Sequence, residues 1–240
     1  TVISSIITAI KADLGSQIDQ ETKETAQRFF KEEVKLYGVR SAAVKNVANE
    51  YFSKIKDENK LDIFSLCDGL FKSDYIEEAF IASEWAYLLR RRYEPSDFYV
   101  FEKWIGDYVN NWAKCDTFCN HTMGSFMEQY PEYVINLKNW AKSENMWLRR
   151  ASTVTLILPA RKGLFLKDVL EISDILMGDK DDLVQKGQGW VLKEASKSHQ
   201  QEVFRYIMGH RKIMSRTALR YAIEKMPLEM KKKAMEKKDI

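Results

Sequence analysis

Trp112 and Asp116 stand four residues apart in Asn-Trp-Ala-Lys-Cys-Asp, a spacing that puts both side chains on one face of a helix. Two later segments carry related chemistry, Met146-Trp147-Leu148-Arg149-Arg150 and Lys186-Gly187-Gln188-Gly189-Trp190. Asp116 flanked by the indoles of Trp112 and Trp190, with Arg150 on a helix between, makes a small electronegative box with aromatic walls. Such a box suits a cation. An indole face attracts one by about 0.5–2 kcal/mol, and a carboxylate about 4 Å from a developing positive charge contributes on the order of 4 kcal/mol at an effective dielectric near 20. If the charge exists only in the transition state, that is roughly a thousandfold in rate. A sugar oxocarbenium ion is such a charge. A conventional glycosidase also needs a second carboxyl to protonate the leaving group, and no convincing partner is visible. The missing acid is tolerable if the leaving base already carries positive charge, as an N3- or N7-alkylated purine does. Each residue also has a plainer reading: Asp116 as a helix-surface or capping carboxylate, and the two tryptophans as half-buried packing residues.

The rest of the composition says what kind of framework holds them. In 240 residues there are 10 glycines and 4 prolines, about half the usual share. Turns are therefore few and short, which argues against an all-β protein. Neither GxGxxG nor GxxxxGK[ST] occurs, so a glycine-rich nucleotide fold is unsupported. With 45% hydrophobic and 30% charged residues the chain can bury a core. Its apolar runs, such as Val154 to Ala160, are too short for a bilayer span, so no membrane association is expected. A net charge of +3 is only mildly basic, so nucleic-acid binding has to rest on where the charges cluster. The three cysteines Cys67, Cys115 and Cys119 are an odd number in a chain whose opening reads as an amphipathic helix rather than a signal peptide. A reducing, cytoplasmic compartment is the default expectation. Cys115, Cys119 and His121 match no zinc spacing, so no metal or other cofactor is expected. With no GxSxG, a nucleophilic hydrolase is unsupported as well.

Nearly every segment follows the helical period. Ile76, Ala79, Phe80, Ser83, Ala86, Tyr87 and Leu88 trace one such stripe, and about a dozen helices of roughly 10–18 residues are expected. Similar helices begin or centre near Ala42, Glu77, Trp112, Trp147, Leu183 and Thr217, at steps of 35, 35, 35, 36 and 34 residues, with a second helix between each pair. A helix pair of this length is the unit of an α-solenoid, and the absence of a tetratricopeptide pattern favours HEAT-like repeats. The expected architecture is an all-α, HEAT-like α-solenoid of about six helix pairs with a concave groove, as one domain over 1–240. Gly187 and Gly189 sit near an expected helix start, where close backbone approach or a bend would justify them. Trp85, Trp104, Trp140 and Trp147 are read as core.

The order and spacing of five segments resemble the AlkD-type DNA alkylation-repair glycosylases, which are HEAT-like solenoids. They are Val34–Arg40, Asn111–Asp116, Met146–Ala151, Lys186–Trp190 and Leu219–Lys225. Together they cover most of the chain. The resemblance implies that Asp116 is the catalytic carboxylate, that Trp112 and Trp190 hold the lesion nucleotide, and that an arginine of Trp-Leu-Arg-Arg contacts DNA beside it, Arg150 first and Arg149 second. It also implies work on the sugar face of a lesion left in or near the duplex. One departure is that Ser41-Ala42-Ala43 follows Gly38-Val39-Arg40 where the family usually has a proline.

The combined expectation is a monomeric DNA glycosylase that breaks the N-glycosidic bond of cationic N3- or N7-alkylated purines in damaged double-stranded DNA. Arg149, Lys186 and Arg220 are its phosphate candidates, since duplex affinity comes mainly from Lys and Arg. The alternative is a noncatalytic HEAT-like module that binds DNA or a protein.

Overall fold

The fold is seen in a computed structural model that describes residues 2–237, so the first residue and the last three of the expected 1–240 domain lie outside the described part. Among the described residues there are helices and turns and no strands. The contacts divide the chain into two compact units that meet in sequence between Phe118 and Cys119.

The first unit contains α1 (Val2–Ser16), α2 (Gln20–Gln27), α3 (Ser41–Ile55), α4 (Lys60–Lys72), α5 (Ile76–Leu88), α6 (Asp97–Tyr108) and α7 (Trp112–Phe118). Side-chain caps set where several helices begin. Asp19 accepts from the amide of Glu21 at the start of α2, and Asn59 accepts from that of Leu61 at the start of α4. Helices α3, α5 and α7 lie side by side in one layer, while α1, α4 and α6 pack in the other. The second unit contains α8 (Gly124–Gln129), α9 (Val134–Trp140), α10 (Met146–Val154), α11 (Ile157–Arg161), α12 (Leu166–Ile175), α13 (Asp182–Ser196), α14 (Gln200–His210), α15 (Arg216–Ile223) and α16 (Leu228–Met235). Here α10, α13 and α15 form one layer, with α9, α12, α14 and α16 packed behind.

This is the all-α, HEAT-like solenoid pattern, and the expected period holds. The one-layer helices start at Ser41, Ile76, Trp112, Met146, Asp182 and Arg216, which are 34 to 36 residues apart. Polar side chains repeat the same period by tying each helix pair to the next. In the first unit the Trp85 indole donates to the Ala48 carbonyl at 2.9 Å, 37 residues back, and Tyr108 donates to Asp68 across 40 residues. In the second, Arg161 donates to Glu194 at 2.8 Å across 33 residues, and the His199 ring meets the Gly163 carbonyl across 36. Within each unit the repeats thus lean on their sequence neighbours, as a solenoid requires.

Three local expectations are corrected. The stripe read for α5 is right only in part: Ile76, Ala79, Ser83 and Ala86 are buried, but so are Ile81, Ala82 and Trp85 outside it, whereas Phe80, Tyr87 and Leu88 are only half-buried. The reason is that α5 is flanked by α3, α4 and α7 and has little solvent face, so polarity loses its period along it. Gly187 and Gly189 lie inside α13, not at its start. Trp147 is half-buried, unlike Trp85, Trp104 and Trp140, so it is not a core residue. Several helices are also shorter than expected, α7 and α9 having 7 residues and α11 having 5.

Candidate active-site residues in the two units

In the first unit, α7 carries Trp112 and Asp116 one turn apart. Both are half-buried, while Ala113, Lys114, Cys115 and Phe118 of the same helix are buried. The helix therefore turns one narrow face outward, and that face holds the tryptophan and the carboxylate. Lys114 fixes its seat. The Lys114 side chain is 1% exposed, and its ammonium donates to the Asp74 carbonyl (2.9 Å), the Asp74 carboxylate (2.5 Å) and Asn110 Oδ1 (3.0 Å). Burial acts to raise the Asp74 pKa, but the hydrogen bonds from Lys114 and Asn110 outweigh it and hold the carboxyl below its ordinary value. Asp74 also stands in the left-handed region at φ 69°, which Asp tolerates better than most residues.

The indole of Trp112 is held on two sides. Its Nε1 donates to the Phe29 carbonyl at 3.3 Å, and its ring stacks on Phe30 with centroids 5.2 Å apart and planes 20° apart. Trp112 also forms part of the wall of a cavity of about 500 Å³, together with residues of α2, the 36–41 segment, α3 and α5. The 36–41 segment overlaps the motif Val34–Arg40 and is anchored by one side chain. Glu77, at the start of α5, accepts from the backbone amides of Tyr37 (3.0 Å), Gly38 (2.8 Å) and Val39 (3.2 Å). Gly38 is required there twice over: its φ is +92°, and a Cβ would lie 2.5 Å from the Lys23 Cβ.

In the second unit, Arg150 is buried on α10 and donates to the Leu183 carbonyl at 2.6 Å. Arg149 beside it is already committed. Its Nε donates to Asp179 at 2.8 Å, Nη2 meets Asp181, and Nη1 donates to the carbonyls of Ser143 and Glu144, each at 3.0 Å. A phosphate reaching Arg149 would have to compete with two carboxylates. Trp190 is half-buried on α13, with no ring contact or hydrogen-bond partner for its indole among the described residues. The two glycines before it allow close packing on both sides. A Cβ at Gly187 would lie 2.6 Å from Thr153 Oγ1 on α10, and one at Gly189 would lie 2.5 Å from the Tyr221 Cβ and 2.6 Å from the Ala218 carbonyl on α15. The close approach expected from the glycine pair is therefore present, and no bend is needed to explain it. Lys186 pairs with Asp182 at 2.8 Å, a hydrogen bond that raises the pKa of its ammonium. Arg220 is exposed on α15.

The structure thus brings Trp112 together with Asp116 on α7, and Arg150 together with α13, the helix of Lys186 and Trp190. Sequence reasoning did not single out Lys114 or Glu77. Both are charged residues buried inside helices, and only their polar neighbours one repeat away explain them. No group of three or more His, Cys, Asp or Glu side chains among the described residues is arranged to hold a metal ion, and no helix is long and apolar enough to cross a membrane. Cys67, Cys115 and Cys119 are fully buried and in no disulfide, and burial pushes the Cys67 thiol well above its ordinary pKa.

The layered helix pairs define a helical-repeat protein, and their arrangement has a solved counterpart. A predicted DNA alkylation repair enzyme from Enterococcus faecalis superimposes with a TM-score of 0.80 at 15% identity, over 88% of this chain and 98% of that one. At that identity the likeness speaks for the fold alone. No curated protein matches the sequence. The family pattern of the DNA alkylation repair enzymes matches residues 10–226. The chain belongs to that family, which supports a role as an enzyme of DNA alkylation repair and implies DNA as its substrate.

Proposed function

We propose that the protein is a DNA glycosylase that hydrolyses the N-glycosidic bond of cationic N3- or N7-alkylated purines in duplex DNA. In this reading Asp116 stabilises the oxocarbenium-like sugar and orients the attacking water. The electron pair of the C–N bond leaves with the base, which becomes neutral, and water supplies the hydroxyl at the anomeric carbon while losing a proton. No acid is needed for the leaving group because the base departs from a cation. Trp112 and Trp190 hold the lesion nucleotide, Arg150 acts beside the lesion, and Lys186 and Arg220 meet backbone phosphates. Arg149 ranks behind Arg150 because of its bonds to Asp179 and Asp181.

The observation that carries this reading is the pair on α7. In a member of an alkylation-repair family, the half-exposed residues of that helix include a carboxylate one turn from an indole pinned by Phe29 and Phe30. A carboxylate in that position supplies stabilisation on the order of 4 kcal/mol to a nearby cation at an effective dielectric near 20. The test is single-turnover release of N7-methylguanine from a methylated duplex. Asp116→Asn should slow it by roughly a thousandfold, with duplex binding kept. Release at the parental rate would remove Asp116 from the chemistry.

A further inference from the structure

Trp112 and Trp190 share one proposed role, yet their indoles are in different states. Trp190 has no ring contact or hydrogen-bond partner among the described residues. Trp112 is covered by its own chain: its N–H donates to the Phe29 carbonyl at 3.3 Å, and its ring lies against Phe30 with centroids 5.2 Å apart. An acceptor oxygen and a flat apolar surface are also what a nucleotide offers an indole, through its sugar and phosphate oxygens and the C–H face of its deoxyribose.

The covering segment is attached in a way that lets it come off. None of the eight residues of α2 is buried, and Phe29 beyond it is 70% exposed. The helix is tied at its two ends. At the first, the Asp19 amide donates to the Gly38 carbonyl at 2.9 Å, Arg40 meets Asp19 at 3.2 Å, and Lys23 rests on Gly38. At the last, the Gln27 side chain donates to the Glu32 carbonyl at 2.9 Å and accepts from the Val34 amide at 3.1 Å. Between these ties Thr22, Thr25 and Ala26 border the cavity of about 500 Å³ rather than a packed interior. Swinging the Phe29–Phe30 end away from Trp112 breaks the indole hydrogen bond and one aromatic pair. Together these favour the closed form by a factor of roughly ten to a hundred.

We infer that α2 and Phe29–Phe30 form an autoinhibitory strap: they occupy Trp112 in the free protein, and a lesion nucleotide takes the indole once the strap has opened. The inference rests on the glycosylase reading above for its ligand, and it concerns access to Trp112 rather than bond breaking. What replaces Phe30 is the sugar face, so the base need not leave the duplex. Such a gate acts on association. DNA binds the open fraction, which lowers the apparent affinity, while the bound complex dissociates at its own rate.

The experiment uses the full chain and a duplex carrying a tetrahydrofuran abasic-site analogue, which presents a sugar with no base to release. Binding is followed by fluorescence anisotropy and stopped flow. Phe30→Ala removes the stack and should bind about three- to tenfold more tightly, the gain lying in the association rate with dissociation at the parental value. Phe30→Leu keeps bulk without the flat ring and should shift the same way by less, so the sign is read even if the alanine variant is unstable. Phe30→Tyr keeps the stack and should bind as the parent does. In a Trp112→Ala background Phe30→Ala should bring no gain, because the strap acts through that indole. Unchanged or weaker binding in both Phe30→Ala and Phe30→Leu, a change confined to dissociation, or a gain that persists without Trp112 overturns the gate. The two readings fail separately. If Asp116→Asn still releases N7-methylguanine at the parental rate while Phe30→Ala associates faster, the gate stands and the glycosylase assignment falls. If Asp116→Asn abolishes release but the Phe30 variants bind no faster, the reverse holds.

Discussion

Two tryptophan-bearing helices, α7 in the first unit and α13 in the second, occupy the same place in the repeat and are held by different chemistry. On α7 a buried lysine reaches 40 residues back to Asp74, and the indole of Trp112 is pinned by a hydrogen bond and a stacked ring. On α13 the glycines at 187 and 189 remove side-chain bulk so that α10 and α15 can approach, and Trp190 has neither ring nor hydrogen-bond partner among the described residues. The period of the helices is kept while the means of keeping it changes. That is why repeats of equal length can share so little sequence.

The largest expected stability effect falls on the glycine-mediated contact. Gly189→Val places carbon atoms against the backbone of Ala218, which cannot move aside without shifting α15, so the cost is about 3 kcal/mol. A urea unfolding midpoint within error of the parent would show that α13 and α15 are not in the tight contact described. The polar seat in the first unit should be next. Lys114→Met removes the ammonium that meets the Asp74 carbonyl and carboxylate. Because half of the Asp74 side chain stays hydrated, the loss is below that of a fully buried pair, about 2 kcal/mol at neutral pH. This penalty should depend on acid. The Asp74 pKa is lowered in the folded state, so its contribution is present above the ordinary carboxylate value and is lost as pH falls through the lowered one. The gap between Lys114→Met and the parent should therefore narrow in denaturant titrations taken toward pH 3, and a gap that widened would contradict the assignment. The smallest effect has the opposite sign. Gly69 lies inside α4 with nothing within 4 Å of an added Cβ, so Gly69→Ala should stabilise by about 0.5–1 kcal/mol, read from the same midpoint. A glycine in each unit, substituted by a larger residue, should thus move stability in opposite directions.

These contrasts also mark what could be read from the chain. Periodicity in sequence was enough for the repeat, because the one-layer helices start at steps of 34 to 36 residues. It failed on α5, where Glu77 and Glu78 are buried among apolar neighbours, Glu78 accepting from the Tyr37 hydroxyl at 2.8 Å and pairing with Lys11 at 3.1 Å. Burial of charge is decided by a partner about one repeat or more away, and no local window contains that partner. The same limit applies to Arg149. As a residue type at a repeat position it reads as a phosphate ligand, whereas its neighbours Asp179 and Asp181, some 30 residues on, give it structural work. Trp112 and Asp116 were legible because a spacing of four suffices to define a helix face. The cavity beside them was not, since it is bordered by segments spread from Asp19 to Ala113.

The three thiols have a consequence for the conditions under which such a protein must work. Agents that methylate purines are electrophiles, and cysteine thiolates are among the strongest nucleophiles they can meet in a protein. All the cysteines of this chain are fully enclosed, Cys115 next to Asp116 included, and that of Cys67 is held in its unreactive protonated form. The molecule therefore offers an alkylating reagent no accessible sulfhydryl, and α7 should survive a chemical exposure severe enough to alkylate DNA.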